Sequence, residues 1–136
     1  MKVFLDTNVL ASGLSTRGLC ADVIREVMTE HELVLSEYVI MELEKVLHQK
    51  FKIPEDKVKS VVSLLRRFPV IPTPKNLKGL HVRDKNDIPV LGSALSCQAD
   101  VLITGDRDLL ILGSHGHLLI LSPRGFWEHL RGVPKK

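Results

Sequence analysis

Two carboxylates stand where an α/β protein places its ligands. Asp6 directly follows the apolar run over residues 3–5, and Asp106 follows the run over 101–104 with one glycine between. In an open parallel sheet, ligands bind outside the carboxyl ends of the strands, where the strand order reverses. If these two strands are neighbours, Asp6 and Asp106 meet in that crevice.

Two further acids lie on helical faces that pack against the core. On a helical wheel Glu42 falls at the edge of the apolar stripe of its helix, whereas Glu44 falls on the solvent side. Asp87 begins a predicted helix over residues 87–97 and points to its packed side, one turn after Asp84. A carboxylate beside a buried face is costly without a partner. A metal ion or a Lys or Arg side chain is a candidate partner.

The chemistry that this acidic set suits is phosphodiester hydrolysis. Carboxylates that share a crevice repel one another, and a divalent cation removes that cost. Asp and Glu oxygens suit Mg²⁺ or Mn²⁺, and two such ions about 3.5–4 Å apart can activate a water and stabilise the leaving oxygen. We therefore predict a metal and catalytic site formed by Asp6, Glu42, Asp87 and Asp106. Its expected supporting residues are Asn8, Asp84, Thr104 and Asp108.

Each acid also has a purely local explanation. Asp6, Asp87 and Asp106 stand where helix N-caps belong. Glu42 could be a member of a salt bridge, and Asp108 an exposed acid in the first turn of a helix. If all of these local explanations held, four acids that are distant in the sequence would lie at one edge of one sheet only by coincidence.

A cationic block occupies the middle of the chain. The net charge is +3, yet residues 45–85 carry 11 Lys or Arg against 3 Asp or Glu, while residues 1–44 carry 3 against 8. Such a block attracts polyanions such as nucleic acid, although it can equally be a solvated helical face. Aromatic residues make up only 4% of the chain, so a base-stacking platform is poorly supplied. The cations that we expect to hold a nucleic-acid backbone are Lys45, Lys50, Lys52, Arg66 and Arg67.

The 136 residues suit a single domain, and apolar runs alternate with helical periodicity along them. This pattern predicts a parallel α/β sheet with helices on both faces. The expected strands lie at residues 3–5, 33–35, 68–71, 101–104 and 118–121. The expected helices begin near residues 9, 19, 36, 54, 87, 106 and 123, with Pro54 in a first turn and a loop over 75–83.

No apolar run approaches the ~18 residues that cross a bilayer. Asp6 interrupts the N-terminal apolar run, so we expect no signal peptide and a cytoplasmic protein. Cys20 and Cys97 have no CxxC partner and are expected to be reduced thiols. None of the six histidines has a spacing that demands a metal, and residues 115–117 are typical of a turn.

The acidic motifs together resemble the PIN-domain family, over nearly the whole chain. Any one of them is weak, but all four follow the family's order and spacing. The nearest resemblance is to toxin PIN proteins of bacterial and archaeal toxin–antitoxin systems. The segments that carry it are Leu5-Asp6-Thr7-Asn8-Val9-Leu10, Ser36-Glu37-Tyr38-Val39-Ile40-Met41-Glu42-Leu43, Asp84-Lys85-Asn86-Asp87, Ile103-Thr104-Gly105-Asp106-Arg107-Asp108-Leu109-Leu110 and Ile120-Leu121-Ser122-Pro123-Arg124-Gly125-Phe126.

The resemblance implies a three-layer α/β/α sandwich with about five parallel strands, as one PIN domain over residues 1–136. It implies single-stranded RNA cleavage with Mg²⁺ or Mn²⁺, a homodimer and an antitoxin partner. By position Asp84 matches a frequent extra acid, and Asn8 and Thr104 match polar supports. The residues that match the family's metal-site acids are Asp6, Glu42, Asp87 and Asp106.

Two other functions remain open from the residues alone. A non-catalytic RNA-binding or adaptor protein on the same fold would use the cationic block and need no metal. A phosphatase with an Asp-x-Asp nucleophile motif after the first strand is disfavoured, because the third position is Asn8 and no phosphate-cradling glycine loop is present.

Overall fold

The computed structural model describes residues 1–75, 77, 79–82 and 84–132. Asn76, Lys78 and Arg83, which belong to the predicted loop over 75–83, lie outside the described residues. Within the described ranges the strands are β1 (Lys2–Leu5), β2 (Glu32–Ser36), β3 (Val70–Ile71), β4 (Val101–Ile103), β5 (Ser114–His115) and β6 (Leu118–Leu121). The helices there are α1 (Thr7–Ser15), α2 (Leu19–Glu30), α3 (Glu37–Gln49), α4 (Glu55–Leu65), α5 (Ile88–Ser96), α6 (Arg107–Leu112) and α7 (Pro123–Leu130), with a 3-10 turn at Lys85–Asp87.

The strands form one sheet in the order β3-β2-β1-β4-β6-β5. The first five of these are parallel, as the sequence predicts, and β5 adds a short antiparallel edge. Strands β1, β4 and β6 have buried apolar side chains, with Leu119 of β6 half-buried, which is typical of a parallel sheet covered on both faces.

The strand order reverses between β1 and β4. From β1 the chain adds β2 and β3 on one side, then returns to add β4 and β6 on the other. Residues 3–5 of β1 lie opposite residues 101–103 of β4, so both strands end at the same level. This reversal opens a crevice at their carboxyl ends. The strands that precede Asp6 and Asp106 are therefore neighbours, as the sequence prediction required.

Helix packing positions α1 and α3 beside that crevice. Helix α1 packs against α2 and α3, while α3 also contacts α4 and α5. The start of α3 is fixed by Ser36, whose Oγ accepts a hydrogen bond from the backbone N–H of Val39 at 3.3 Å. Helix α7 begins in the same way, with Ser122 Oγ accepting from Gly125 N–H at 2.9 Å and Pro123 in the first turn.

The structure corrects three details of the sequence prediction. The strand expected at 68–71 is only Val70–Ile71, because Phe68 N–H bonds back to Leu65 in the turn after α4 and Pro69 has no N–H to donate. Pro54 is the N-cap of α4 rather than part of its first turn. Residues 114–115 form β5, which pairs with β6 across a two-residue turn.

None of the helices in the described part of the chain has the length and apolar composition that a bilayer-spanning segment needs.

Candidate metal centre

A cleft of about 210 Å³ opens at the carboxyl ends of β1 and β4. It brings together residues that are widely separated in the sequence, from α1, α3, the 3-10 turn and the start of α6. All four acids that the sequence singled out line it, together with one of the expected supporting acids: Asp6, Glu42, Asp87, Asp106 and Asp84. The acids do not scatter over separate faces of the molecule.

Asp6 is held rigidly at the floor of the cleft. Its backbone N–H donates to the carbonyl of Ile103 at 3.0 Å, which extends the pairing of β1 with β4 by one residue. Its Oδ1 accepts from Thr7 N–H at 2.6 Å, and its Oδ2 accepts from the hydroxyl of Thr104 at 2.6 Å. Burial raises the pKa of Asp6, these two hydrogen bonds lower it in part, and the charge of Asp106 raises it further.

Asp106 caps α6 and is tied to the same threonine. Its Oδ1 accepts from the N–H groups of Asp108 at 2.8 Å and Leu109 at 3.3 Å. Its own N–H donates to Thr104 Oγ1 at 3.0 Å. Helix capping therefore explains one carboxylate oxygen each of Asp6 and Asp106. The second carboxylate oxygen of Asp106 makes no cap bond.

Asp87 has no such local explanation. It occupies the position before α5, yet its side chain makes no capping hydrogen bond, and its residue is only 9% exposed. Among the described residues, its Oδ2 is the one buried side-chain oxygen or nitrogen without a partner. Burial, then the neighbouring carboxylate of Asp106 and the charges of Asp84 and Asp6, raise the pKa of Asp87 to about 7.

Three carboxylates form the tightest group in the cleft. One oxygen each of Asp84, Asp87 and Asp106 lies within 4.8 Å of the other two. Asp84 is exposed, and its Oδ1 accepts from Asn86 N–H at 3.0 Å, which shapes the 3-10 turn that presents Asp87. The sequence predicts Asp84 only as a supporting residue. In the structure it is a member of this group, whereas Asp6 and Glu42 are not.

Glu42 and Tyr38 stand on the α3 side of the cleft. Glu42 has a side chain that is 32% exposed, and its Oε1 lies 3.6 Å from Lys45 Nζ, so the salt-bridge explanation describes part of its surroundings. Tyr38, which the sequence did not single out, is half-buried four residues earlier. Burial raises the pKa of Tyr38, and so do the surrounding carboxylates of Glu42, Asp6, Asp87 and Asp84.

The expected supporting residues lie at different depths. Thr104 is fully buried and bridges Asp6 and Asp106, as described above. Asn8 is exposed on α1 and lines both the acidic cleft and a shallow depression next to it. Asp108 lines only that depression, which it shares with Arg107.

The cations expected to bind RNA have different surroundings in the structure. Lys50 lines the depression beside the cleft, whereas Lys45 faces α4 and Arg67 lies along α4. Arg66 makes a two-pronged ion pair with Glu37, at 2.8 and 3.0 Å. Lys52 follows α3 in a left-handed conformation with φ of 55°.

The donor set fits a hard divalent cation. Every candidate ligand is a carboxylate oxygen, as Mg²⁺ and Mn²⁺ prefer. The unpartnered oxygen of Asp87, and the burial and mutual repulsion that raise its pKa, are the costs that a cation would offset. The three oxygens grouped within 4.8 Å can converge on one ion.

Comparisons with known proteins place this geometry in a family. The family model of the PIN domain matches residues 2–108. No curated protein matches the sequence at a significant level. Several solved structures share the fold, each with sequence identity too low to indicate more than that.

VapBC2 from Rickettsia felis, crystallised bound to a DNA fragment from their promoter, has a TM-score of 0.61 at 16% identity, covering 88% of this chain and 97% of that chain. VapBC-1 from nontypeable Haemophilus influenzae has a TM-score of 0.62 at 22% identity, covering 91% and 99%. VapC20 from Mycobacterium tuberculosis, described as a sarcin–ricin loop cleaving toxin, has a TM-score of 0.60 at 13% identity, covering 86% and 98%. With a family model that spans most of its length, the chain belongs to the PIN domain family.

Proposed function

We propose that this protein is a metal-dependent endoribonuclease that hydrolyses phosphodiester bonds of single-stranded RNA. The observation that carries the proposal is the convergence of five carboxylates on one cleft at the carboxyl ends of β1 and β4. Helix capping and ion pairing explain some of these acids, but neither explains the buried, unpartnered Oδ2 of Asp87. A divalent cation is the partner that satisfies this group.

The residues divide into ligands and supports. Asp84, Asp87 and Asp106 would hold the cation, with Asp6 and Glu42 bound to it directly or through water. When bound, a divalent ion neutralises charge on the phosphate and lowers the pKa of a water molecule. Thr104 holds the Asp6 carboxylate and the backbone of Asp106 in position, and such partners of metal ligands matter nearly as much as the ligands. The exposed Asn8 amide can donate to a phosphate oxygen at the mouth of the cleft.

We also infer a toxin role for the chain, with an antitoxin protein as its partner in the cytoplasm. The shared fold with VapC20, a sarcin–ricin loop cleaving toxin, supports this role. We extend the PIN domain to the whole chain, residues 1–136, and expect a homodimer, which the molar mass in solution tests. Growth arrest on expression of the wild-type protein, but not of Asp6→Asn, is the expected sign of a toxic nuclease.

Cleavage of a labelled RNA tests the catalytic proposal. A single-stranded oligoribonucleotide is incubated with Mg²⁺, Mn²⁺ or EDTA, beside duplex RNA and single-stranded DNA of the same sequence. We expect cleavage of the single-stranded RNA with either metal and none in EDTA. Glu42→Gln should lose at least ~100-fold of the rate, because even indirect partners of a metal cost about 10- to 100-fold. Glu44→Gln, two residues further along α3 and on its solvent side, is the matched control.

The same assay separates the nuclease from a non-catalytic RNA-binding protein. That alternative is supported if the wild-type protein binds the RNA with equal affinity in Mg²⁺ and EDTA and never cuts it. Metal-dependent cleavage that survives Asp6→Asn, Glu42→Gln and Asp87→Asn would contradict the proposed site.

A further inference from the structure

An inclined ridge of side chains on α3 connects the acidic cleft with a depression beside it that carries two cations. Tyr38, Glu42, Val46 and Lys50 follow one another at four-residue spacing, so their side chains form one ridge along the helix. The first three line the acidic cleft, and Lys50 lines the neighbouring depression. The ridge extends about 18 Å along the helix axis. We call it the α3 ridge.

The depression holds two cations next to the proposed active site. It has a volume of about 620 Å³ and is lined by Lys50 and Arg107, with Asn8 and Asp106 shared with the acidic cleft. Arg107 directly follows Asp106 at the start of α6, and both cations are exposed. Among the described residues, neither cation forms an ion pair, unlike Lys45 and Arg66.

The two cations can offset the repulsion between the acidic cleft and a polyanion. Five carboxylates in the cleft repel a polyanion, and a bound divalent ion offsets this only locally. A strand that crosses the cleft places its next phosphate beside the acids, where an unpaired cation stabilises it. Asp108 also lines the depression, so the two cations there stand against two carboxylates, those of Asp106 and Asp108. Of these two acids, Asp106 belongs to the proposed metal site.

Building on the proposed nuclease function, we propose that the α3 ridge is the binding track for a single RNA strand. Lys50 and Arg107 hold a phosphate next to the one that is cut, and Tyr38 stacks on a base at the other end of the ridge. Tyr38 is the only tyrosine of the chain, and it lies half-buried on the wall of the cleft. Stacking on an aromatic ring suits any base, so the track binds single strands without reading their sequence. All three are positioning residues.

Binding measurements test the phosphate contacts separately from catalysis. The anisotropy of a fluorescein-labelled single-stranded 10-nucleotide RNA is followed in Mg²⁺ with Asp87→Asn as the background. We expect Lys50→Gln/Arg107→Gln to raise Kd about tenfold. The slope of log K against log salt should fall in magnitude by about 0.7, the value for one single-strand phosphate contact.

A charge-matched control separates a local subsite from general attraction. Lys57→Gln/Arg25→Gln also removes one lysine and one arginine, from exposed positions on α4 and α2 outside the cleft and the depression. We expect its Kd to stay within about twofold of the background and its salt slope to be nearly unchanged. Equal weakening by both pairs overturns the track, and so does an unchanged Kd in Lys50→Gln/Arg107→Gln.

The aromatic end of the track has its own test. We expect Tyr38→Leu to raise Kd for the 10-nucleotide RNA several-fold, whereas Tyr38→Phe keeps the ring and binds as the background does. Equal binding by the leucine and phenylalanine variants overturns the stacking role.

Thermal unfolding of each variant is measured first. If Arg107→Gln unfolds the protein, Lys50→Gln alone, at the exposed end of α3, decides the phosphate contact.

Substrate length shows whether the contact lies beyond the cut phosphate. In the protein that retains Asp87, Lys50→Gln/Arg107→Gln should raise KM much more for the 10-nucleotide RNA than for a dinucleotide, which lacks the neighbouring phosphate. Equal losses on both substrates overturn the track. RNA binding that depends on Lys50 and Arg107 in a protein that never cuts RNA would refute the nuclease and leave the track standing.

Discussion

The hydroxyl of Thr104 donates a 2.6 Å hydrogen bond to Oδ2 of Asp6, joining side chains 98 residues apart in the sequence. The same oxygen accepts the N–H of Asp106 at 3.0 Å. One buried hydroxyl thus holds the carboxylate of Asp6 and the backbone of Asp106, the two acids that follow the central strands β1 and β4. The geometry of the candidate metal centre depends on this contact.

Removing that hydroxyl should destabilise the protein. Thr104→Val keeps the shape of the side chain but leaves Asp6 without a donor and the N–H of Asp106 without an acceptor. We expect a loss of about 2 kcal/mol in the free energy of unfolding, the usual range for a buried hydrogen bond to a charged group. Urea unfolding in EDTA measures it. Thr104→Ser keeps the hydroxyl and should lose less; a valine variant at least as stable as the serine variant would contradict the role of the hydroxyl.

The stability of the metal-free protein should fall as the pH rises. The pKa of Asp87 is raised from its ordinary value of 3.8 to about 7, so between these values the folded protein binds more protons than the unfolded chain. The free energy of unfolding therefore decreases from about pH 4 to about pH 7, as far as Asp87 determines it. Urea unfolding in EDTA at a series of pH values measures the slope.

Asp87→Asn should flatten this pH dependence. The amide has a similar shape and no charge, so the variant should be more stable than wild type at pH 8 by at least ~1 kcal/mol. At pH 4 the two should be nearly equal. Asp22→Asn, on the exposed side of α2, serves as the control and should follow the wild-type curve. An Asp87→Asn curve parallel to wild type would show that Asp87 is not the group responsible.

Close packing of α1 on α2 should make Gly13 intolerant of a side chain. A Cβ there would lie 2.9 Å from the backbone oxygen of Cys20 and would also clash with Ile24 Cδ1. The backbone contact cannot be relieved by a rotamer change, so we expect Gly13→Ala to cost about 1–3 kcal/mol despite the helix propensity of alanine. A Cβ at Gly105 would have no atom within 4 Å, so Gly105→Ala should have the same urea midpoint of unfolding as the wild type. Equal midpoints for both variants would contradict the packing argument.

Ion pairing should limit what Arg66 contributes to RNA binding. Both terminal nitrogens of Arg66 donate to Glu37, whereas Lys50 has no ion-pair partner among the described residues. We expect Arg66→Gln to weaken binding of a single-stranded RNA less than Lys50→Gln does, in the same anisotropy assay. Because the pair is about half exposed, its loss should leave the melting temperature almost unchanged. A stronger effect of Arg66→Gln on RNA binding would contradict this ranking.

The sequence predicts the fold well because the relevant signals are local and periodic. Apolar runs separated by amphipathic helices indicate a parallel sheet, and any residue just after such a strand lies at its carboxyl edge. That rule alone brings Asp6 and Asp106 together once β1 and β4 are neighbours. β5 escaped prediction because two residues are too few for a strand pattern.

The rest of the site depends on how distant elements meet. Asp84 joins Asp87 and Asp106 through the path of an irregular connection, which has no periodicity to read. The four-residue spacing of the series from Tyr38 to Lys50 is visible in the sequence, but what faces these side chains depends on how α3 packs over α1. The cationic block is continuous in sequence, but its members line different depressions around α3 and α4.

Binding of Mn²⁺ tests the central claim most directly, since it needs neither RNA nor turnover. The electron paramagnetic resonance signal of free Mn²⁺ is titrated with wild type, Asp87→Asn and Glu44→Gln at neutral pH. We expect saturable binding by wild type and Glu44→Gln, and an affinity weakened by at least roughly 10- to 100-fold in Asp87→Asn. Equal Mn²⁺ binding by wild type and Asp87→Asn, or none by wild type, would contradict the carboxylate cleft as a metal centre.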